Sequence, residues 1–399
     1  MQDEAVMELP RATPRFDGVD VLRGISILAV VLHHCSILLM LSGHNLRGVI
    51  PRFALSLFFA NGGNGVTVFF AVSGFLITYT SLRRFNGLVR LRPSIFYRIR
   101  FARIAPLLLA VLAILGVLHL LHVPYFYISD KRGGLLRALF AALTFRLNWY
   151  EAKHGYLPPN WDVMWSLSIE EMFYLFFPPL CLLLLRVRRF GVAMLCTVFT
   201  VFVILAPFGR TMWAPTELDA EKSYLGGFGS IAMGCLTALL LHRWRTRSMP
   251  SPKALLALAW GGAAVMLFAE PPFRIVPLRP LLHWIAVRDL DDTLLSLGTC
   301  MVILGLVARG RTGSRWLAPV RWYGRLSYEV YLMHEFLVIG VIALALHVGQ
   351  TTGRGLGRGM VAWSILVVLL SGAAGWLAAR HFTEPLNRRL RGVRHPAER

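Results

Sequence analysis

Long apolar runs, separated by short polar or basic stretches, divide the 399-residue chain from end to end. Ten of these runs reach or approach the roughly 20 residues that an α-helix needs to cross a bilayer. The predicted spans lie near 21–42, 64–82, 103–123, 165–185, 190–209, 224–242, 254–270, 293–308, 322–346 and 360–380. A further apolar run at 135–150 is interpreted as a re-entrant or interfacial helix. The pattern therefore indicates an all-α, polytopic membrane protein with about ten transmembrane helices.

The distribution of basic residues predicts the orientation. Ten spans place both ends of the chain on one side of the membrane, and the loops on that side hold nearly twice as many Lys and Arg residues as the opposite loops. Because cytoplasmic loops are enriched in Lys and Arg, we expect both termini in the cytoplasm. The chain then divides into a cytoplasmic N-terminal tail over 1–20, an integral membrane domain over 21–386 and a basic cytoplasmic C-terminal tail over 387–399.

The composition narrows the classes of function. Hydrophobic residues make up 56% of the chain and charged residues 16%, whereas a soluble domain is about 45–50% apolar and about 25% charged. The net charge of +21 is attributed to the cytoplasmic loops. Nucleic-acid binding is not expected, because the pattern contains no soluble basic domain. The five cysteines fall within apolar segments, which indicates no disulfide framework.

The first predicted span carries ionisable side chains, which are costly at membrane depth and usually mark a functional site. Arg23 and His34 lie eleven residues apart, so they share a helix face to within about 20°, with His34 about 16 Å deeper. An imidazole titrates near neutral pH and suits a general base for a hydroxyl. A buried, hydrogen-bonded histidine and a snorkelling arginine are the alternatives. His33 and Cys35 lie about 100° away on either side, so a covalent acyl-cysteine step is less favoured.

Two arginines mark the third span where it leaves the cytoplasm. Arg100 and Arg103 are three residues apart and share a helix face. Two guanidinium groups in this arrangement can clamp the phosphate groups of an anionic cofactor. Ordinary anchoring on lipid headgroups at the cytoplasmic surface is the alternative.

Three other predicted spans also contain polar groups. Ser73 precedes a glycine in the second span, a pair that favours close helix packing. The stretch 161–174 enters the fourth span with tryptophans typical of an interfacial belt, three acidic residues, and Asp162 as an alternative N-cap. The ninth span holds His334 and two carboxylates. Because polar groups inside a membrane avoid lipid, these side chains are predicted to face a common cavity.

Six short motifs follow one another between about residues 15 and 386. They are DVLRG at 20–24 with His34, FFAVSGF at 69–75, RFARIAP at 100–106, WSLSIE at 165–170, SYEVYLMH at 327–334 and EP at 384–385. Each motif has low specificity, but their order and spacing together resemble the acyltransferase-3 family. This family consists of membrane-integral O-acyltransferases that modify bacterial surface polysaccharides, lipid-linked sugars and some secreted metabolites.

The resemblance implies an O-acyltransferase that moves an acyl group, expected to be acetyl, from cytoplasmic acyl-CoA to a sugar hydroxyl. Arg23, Arg100 and Arg103 match positions similar to the family's functional arginines and are expected to dock the donor phosphates. His34 is expected to take the proton of the acceptor hydroxyl. Glu170 is expected to orient either the acceptor or the imidazole.

Further expectations concern substrate and cofactor. The residues expected to contact substrate are Trp165, Ser73 and His334. No residue set has usable metal-ligand spacing, so neither a metal nor a tightly bound cofactor is expected. Acetyl-CoA is expected as the donor substrate. Whether His33 or Cys35 assists His34 stays open.

The expected partners are acyl-CoA, the lipid bilayer of a bacterial inner membrane, and a glycan or lipid-linked sugar as acceptor. The aromatic external loop 124–164 favours a saccharide, since sugars stack on aromatic rings. Some members of the family carry a soluble esterase-like domain. None follows the tenth span in this sequence, so transfer is expected from the membrane domain alone or with a separate periplasmic partner. A transporter or lipid-carrier flippase with a polar intramembrane cavity is the alternative, although the two halves show no corresponding broken helices.

Overall fold

The computed structural model describes residues 15–44, 46–47, 49–60, 62–187, 189–269, 290–310, 313–352 and 359–392. Over these ranges the regular elements are helices, and ten of them are long and apolar enough to cross a membrane. The spanning helices are α1 (Asp17–Leu41), α2 (Gly62–Arg84), α3 (Pro93–Leu120), α4 (Met164–Leu185), α5 (Gly191–Thr211), α6 (Tyr224–Thr246), α7 (Pro252–Ala269), α8 (Asp291–Arg309), α9 (Ser327–Thr352) and α10 (Gly359–Ala378). The all-α, multi-pass architecture predicted from the apolar runs is confirmed.

The helix ends differ from the predicted ones where polar residues continue a helix. Helix α3 begins at Pro93, ten residues before the predicted span, because its basic first turns are helical although they are not apolar. The predicted ninth span joined two elements, since Ala318–Arg325 forms a separate helix before α9. Helix α1 begins at Asp17, inside the predicted N-terminal tail. Residues 1–14 and 393–399 of the two predicted tails lie outside the described residues.

The apolar run at 135–150 corresponds to two short helices. They are Gly134–Leu143 and Leu147–His154, and neither is long enough to span a bilayer. Asp162 does not cap α4: the N-cap position is Val163, and no side chain caps the helix. The carboxylate of Asp162 instead forms an ion pair with Lys222.

Close helix contacts hold the spanning helices together at glycines. A Cβ atom on Gly74 of α2 would lie 1.8 Å from the carbonyl oxygen of Ile231 in α6, and one on Gly234 would lie 2.0 Å from the carbonyl oxygen of Ala71. The two backbones therefore approach to a distance that only glycine permits. This contact confirms the packing role predicted for the Ser-Gly pair of the second span.

Helix α1 packs against α2, α9 and the short helix Ala318–Arg325. Because α1 carries Arg23 and His34, this packing brings both side chains against α9. The site therefore forms inside the helix bundle.

Candidate active site

A cluster of two histidines and one glutamate joins α1 to α9, and we call it the histidine centre: His34, His334 and Glu335. The Nδ1 atom of His34 lies 2.6 Å from Oε1 of Glu335 and 2.7 Å from Nε2 of His334. The two imidazole rings are parallel to within 7°, with their centroids 5.0 Å apart. His334 and Glu335 are buried, and His34 keeps a partly exposed edge.

The hydrogen bonds assign the protons of this centre. Nδ1 of His334 lies 2.7 Å from the carbonyl oxygen of Tyr331, and because a carbonyl only accepts, Nδ1 carries the hydrogen and donates it. In neutral His334, Nε2 is then an acceptor. Nδ1 of His34 therefore donates to Glu335 and His334, which leaves its own Nε2 with a free lone pair. That nitrogen is the atom able to accept a proton from a substrate.

His33 and Cys35, the sequence neighbours of His34, do not belong to the histidine centre. Nδ1 of His33 lies 3.0 Å from the carbonyl oxygen of Phe59 and ties α1 to the π-helix Leu55–Phe59. Cys35 is completely buried among apolar side chains. Of these three residues, only His34 contacts a carboxylate.

A cavity of about 500 Å³ lies within the helix bundle and has Tyr331 of α9 in its lining, and we call it the basic cavity. It is bounded by α1, α2, α3, α4, α9 and the helix Glu384–Leu390. The arginines that line it are Arg15, Arg23, Arg84, Arg100, Arg103, Arg325 and Arg391. The structure thus brings the three predicted donor-binding arginines into one cavity.

The predicted arginines have different partners. Arg23 donates to the hydroxyl of Ser327, with 2.7 Å between Nη2 and Oγ. Arg100 lies 3.0 Å from Glu171 and 3.5 Å from Glu170, so two carboxylates balance its charge. Arg103 forms no ion pair within the described residues. Of the two arginines in the RFARIAP motif, Arg103 therefore has the freer charge.

Glu170 and Ser73 belong to the basic cavity and not to the histidine centre. The Ser73 hydroxyl hydrogen-bonds both the Glu170 carboxylate and the Tyr174 hydroxyl. The guanidinium of Arg100 lies 3.7 Å from the centre of the Tyr174 ring. Glu335, not Glu170, lies against the imidazole of His34. A role of Glu170 in catalysis stays a prediction.

Trp165 lies in the interior of the helix bundle and not in an interfacial aromatic belt, where the pattern of tryptophans predicted it. Its ring is buried and lies edge-on to Phe70, with 6.3 Å between ring centroids. The ammonium of Lys222 lies 5.7 Å from the same ring. The contact of Trp165 with substrate stays a prediction.

Tyr331 connects the basic cavity to the histidine centre, and the sequence analysis did not select it. Tyr331 lines the cavity, and its hydroxyl lies 2.6 Å from the hydroxyl of Ser166. Its backbone carbonyl accepts the hydrogen bond from Nδ1 of His334. Tyr331, His334 and Glu335 have i, i+3, i+4 spacing, which places them on one helix face. That spacing is the sequence signal that could have identified Tyr331 and Glu335.

A second buried ion cluster lies outside the centre. Lys222 forms ion pairs with Asp162 and with Glu151, whose Oε2 lies 2.5 Å from Nζ. Both the Lys222 and Glu151 side chains are completely buried. This cluster ties the helix Leu147–His154 to the start of α6 and fixes the segment that leads into α4.

The fold and the site together define a multi-pass membrane protein with a histidine–carboxylate pair inside the helix bundle, next to an arginine-lined cavity. A family model described as an acyltransferase domain matches residues 16–389. The chain belongs to this family, the acyltransferase-3 family, which confirms the resemblance given by the motifs.

Three relatives illustrate the likeness. O-acetyltransferase OatA of Staphylococcus aureus (strain NCTC 8325 / PS 47) is 24% identical over 352 residues, which cover 84% of this chain and 52% of the relative. Peptidoglycan O-acetyltransferase OatA of Listeria monocytogenes is 24% identical over 79% of this chain and 48% of its own length. Putative peptidoglycan O-acetyltransferase YrhL of Bacillus subtilis is 25% identical over 81% and 48%. The chain spans about half the length of these relatives. No solved structure matches it.

Proposed function

We propose that this protein is an O-acetyltransferase of a bacterial inner membrane. It transfers an acetyl group from cytoplasmic acetyl-CoA to a hydroxyl of a surface or lipid-linked glycan. The observation that carries the proposal is the contact of 2.6 Å between His34 and Glu335, placed next to the basic cavity. A general base alone is compatible with many reactions. A general base next to an arginine-lined cavity favours an acyl donor that carries several negative charges.

The basic cavity supports the choice of donor. Arg23 and Arg103 both line the cavity, and neither forms an ion pair with a carboxylate of the described residues. Guanidinium groups bind phosphates with strong, directional hydrogen bonds. Arg23 and His34 are about 16 Å apart along α1, a distance that the extended pantetheine arm of CoA spans. The phosphates then lie among the arginines while the thioester reaches the imidazole.

The arrangement of hydrogen bonds supports a direct transfer. Nε2 of His34 takes the proton of the acceptor hydroxyl as the oxygen attacks the thioester carbonyl carbon. Glu335 accepts the hydrogen bond of Nδ1 and stabilises the imidazolium that forms. The C–S bond breaks, and the departing thiolate receives the proton from Nε2. The products are an O-acetyl ester and free CoA, and His34 returns to its starting state.

Two observations support a glycan acceptor. Two of the three relatives above are named as acting on peptidoglycan. The external segment of this chain exposes aromatic side chains, among them Tyr125, Trp149 and Tyr156. In the orientation proposed from the basic residues, with both termini in the cytoplasm, this segment lies on the side where surface glycans are assembled.

The test is acetyl transfer from radiolabelled acetyl-CoA to extracted glycans in membranes that contain the wild-type protein, His34→Ala or His347→Ala. His347 lies on α9 like His334 but is exposed, so it serves as a matched control. We expect label in a glycan fraction with the wild type and His347→Ala, and none with His34→Ala. Equal labelling with His34→Ala would contradict the role of this base. Substrate movement without consumption of acetyl-CoA would favour a transporter.

A further inference from the structure

The basic cavity holds more positive charge than its own carboxylates balance. Arg100 is paired with Glu170 and Glu171, and Arg325 is paired with Asp20 at 3.1 Å. In contrast, Arg84, Arg103 and Arg391 also line the cavity, and none forms an ion pair with a described carboxylate. We call these three residues the arginine triad.

The arginine triad comes from three separate elements of the fold. Arg84 is the last residue of α2, Arg103 lies on α3, and Arg391 directly follows the helix Glu384–Leu390. The Nε atom of Arg391 is buried and has no hydrogen-bond partner. Burial and the guanidinium groups of Arg103 and Arg84 lower the pKa of Arg391 to about 10. The guanidinium of Arg391 is therefore close enough to those of Arg103 and Arg84 to be repelled by both.

The position of the triad indicates which part of the donor meets it. Arg84 and Arg391 lie at helix ends, so they mark the rim of the cavity. Arg23 lies six residues inside α1, about 9 Å further in, and the histidine centre lies deeper still. A linear donor whose thioester reaches His34 places its opposite end at this rim. In CoA that end carries the ribose 3′-phosphate.

We propose that Arg84 and Arg391, assisted by Arg103, bind the 3′-phosphate of the CoA donor and so select CoA over shorter acyl thioesters. This inference rests on the proposed function and adds a specificity site to it. A phosphate monoester carries about −1.5 to −2 charges at pH 7 and three acceptor oxygens. It satisfies the unpartnered Nε of Arg391 and removes the repulsion within the triad.

The test compares acetyl-CoA with acetyl-3′-dephospho-CoA as donors, in nanodiscs of neutral phosphatidylcholine. We expect the wild type to show at least about a tenfold lower KM for acetyl-CoA, since a charge-assisted hydrogen bond is lost with the phosphate. Arg84→Gln and Arg391→Gln bring the two KM values together by raising that of acetyl-CoA alone. The matched controls are Arg83→Gln, next in sequence, and Arg388→Gln on the same C-terminal helix, and both keep the wild-type ratio.

Binding provides a second readout that does not require turnover. Adenosine 3′,5′-bisphosphate raises the melting temperature of the wild type more than adenosine 5′-monophosphate does, and Arg391→Gln removes the difference. Arg391→Lys keeps a charge at this position and serves if the glutamine variant does not fold.

Three results would overturn the proposal. The first is equal KM values for the two donors in the wild type, and the second is a wild-type ratio preserved in Arg84→Gln and Arg391→Gln. The third comes from a repeat in nanodiscs that also contain anionic phosphatidylglycerol: a melting temperature that depends on the triad through this lipid, and not through the 3′-phosphate, would assign the triad to lipid headgroups. Failure of the proposed function is distinct: the wild type then uses neither donor, while the binding readout still tests the triad.

Discussion

The substitution Glu335→Gln removes the charge of the histidine centre and preserves its shape. Glu335 is 3% exposed, and its Oε1 lies 2.6 Å from Nδ1 of His34. During the reaction His34 becomes an imidazolium, so the carboxylate stabilises the transition state more than the ground state. A charge pair about 4 Å apart contributes up to about 4 kcal/mol at an effective dielectric constant of 20. A charge-assisted hydrogen bond contributes about 1.5–3 kcal/mol.

For Glu335→Gln we expect a loss of about 3 kcal/mol of transition-state stabilisation, which lowers kcat by roughly 150-fold. The KM for acetyl-CoA stays within about twofold, because Glu335 does not line the basic cavity. The assay is the release of free CoA by the purified protein in nanodiscs, with acceptor glycan present. It is run on the wild type, on the single variants Glu335→Gln and His34→Ala, and on the double variant that combines them.

The double variant tests whether the two residues act as one unit. If Glu335 works through His34, the double variant is no slower than His34→Ala alone, because effects within one unit are not additive. A loss of kcat below about threefold in Glu335→Gln would refute the reasoning. A rise in KM at constant kcat would also refute it, since that pattern belongs to a donor-binding residue.

The remaining predictions concern the fold and the metal content. Gly74→Val prevents accumulation of folded protein, because its Cβ would lie 1.8 Å from a backbone oxygen; the control Gly63→Ala meets no atom within 4 Å and keeps wild-type expression. Lys222→Met leaves two carboxylates uncompensated and costs about 3–5 kcal/mol of stability, measured as a lower melting temperature; Lys153→Met, at an exposed site, does not. Chelators leave turnover unchanged, and metal analysis finds less than stoichiometric zinc. The ligand atoms of the histidine centre, 2.6–2.7 Å apart in two pairs, are closer than the roughly 3.3 Å of a tetrahedral zinc site. Stable wild-type melting in Gly74→Val or Lys222→Met, or loss of turnover with a chelator, would contradict these expectations.

The spanning helices were predictable from the sequence because the thickness of a bilayer requires about 20 consecutive apolar residues in each helix that crosses it. The ten spans of the described residues were found this way, and so was the close packing at Gly74. The errors arose where a helix continues through polar residues, as in the first turns of α3, or where a short helix adjoins a span, as with Ala318–Arg325. Hydropathy does not detect the polar turns of α3 or the break between the short helix and α9. Both are set by backbone hydrogen bonding and not by the apolar character of the residues.

The site was predictable within one helix but not between helices. Helical periodicity placed Arg23 and His34 on one face, and both side chains contact α9. The partner of His34 lies 301 residues further along the chain, and no local pattern reports a contact between α1 and α9. Glu170, expected from the motifs to orient either the acceptor or the imidazole, forms hydrogen bonds with Ser73 and Tyr174. The contact of Glu335 with His34 became visible only from the packing of the helices.

The most direct test of the account uses sealed inside-out vesicles that contain acceptor glycan in the lumen. Radiolabelled acetyl-CoA is added outside, on the face that corresponds to the cytoplasm, and label on the lumenal glycan is measured with the wild type and His34→Ala. We expect lumenal O-acetyl label and equimolar free CoA outside with the wild type, and neither with His34→Ala. Lumenal label that forms equally with His34→Ala would contradict transfer through the histidine centre.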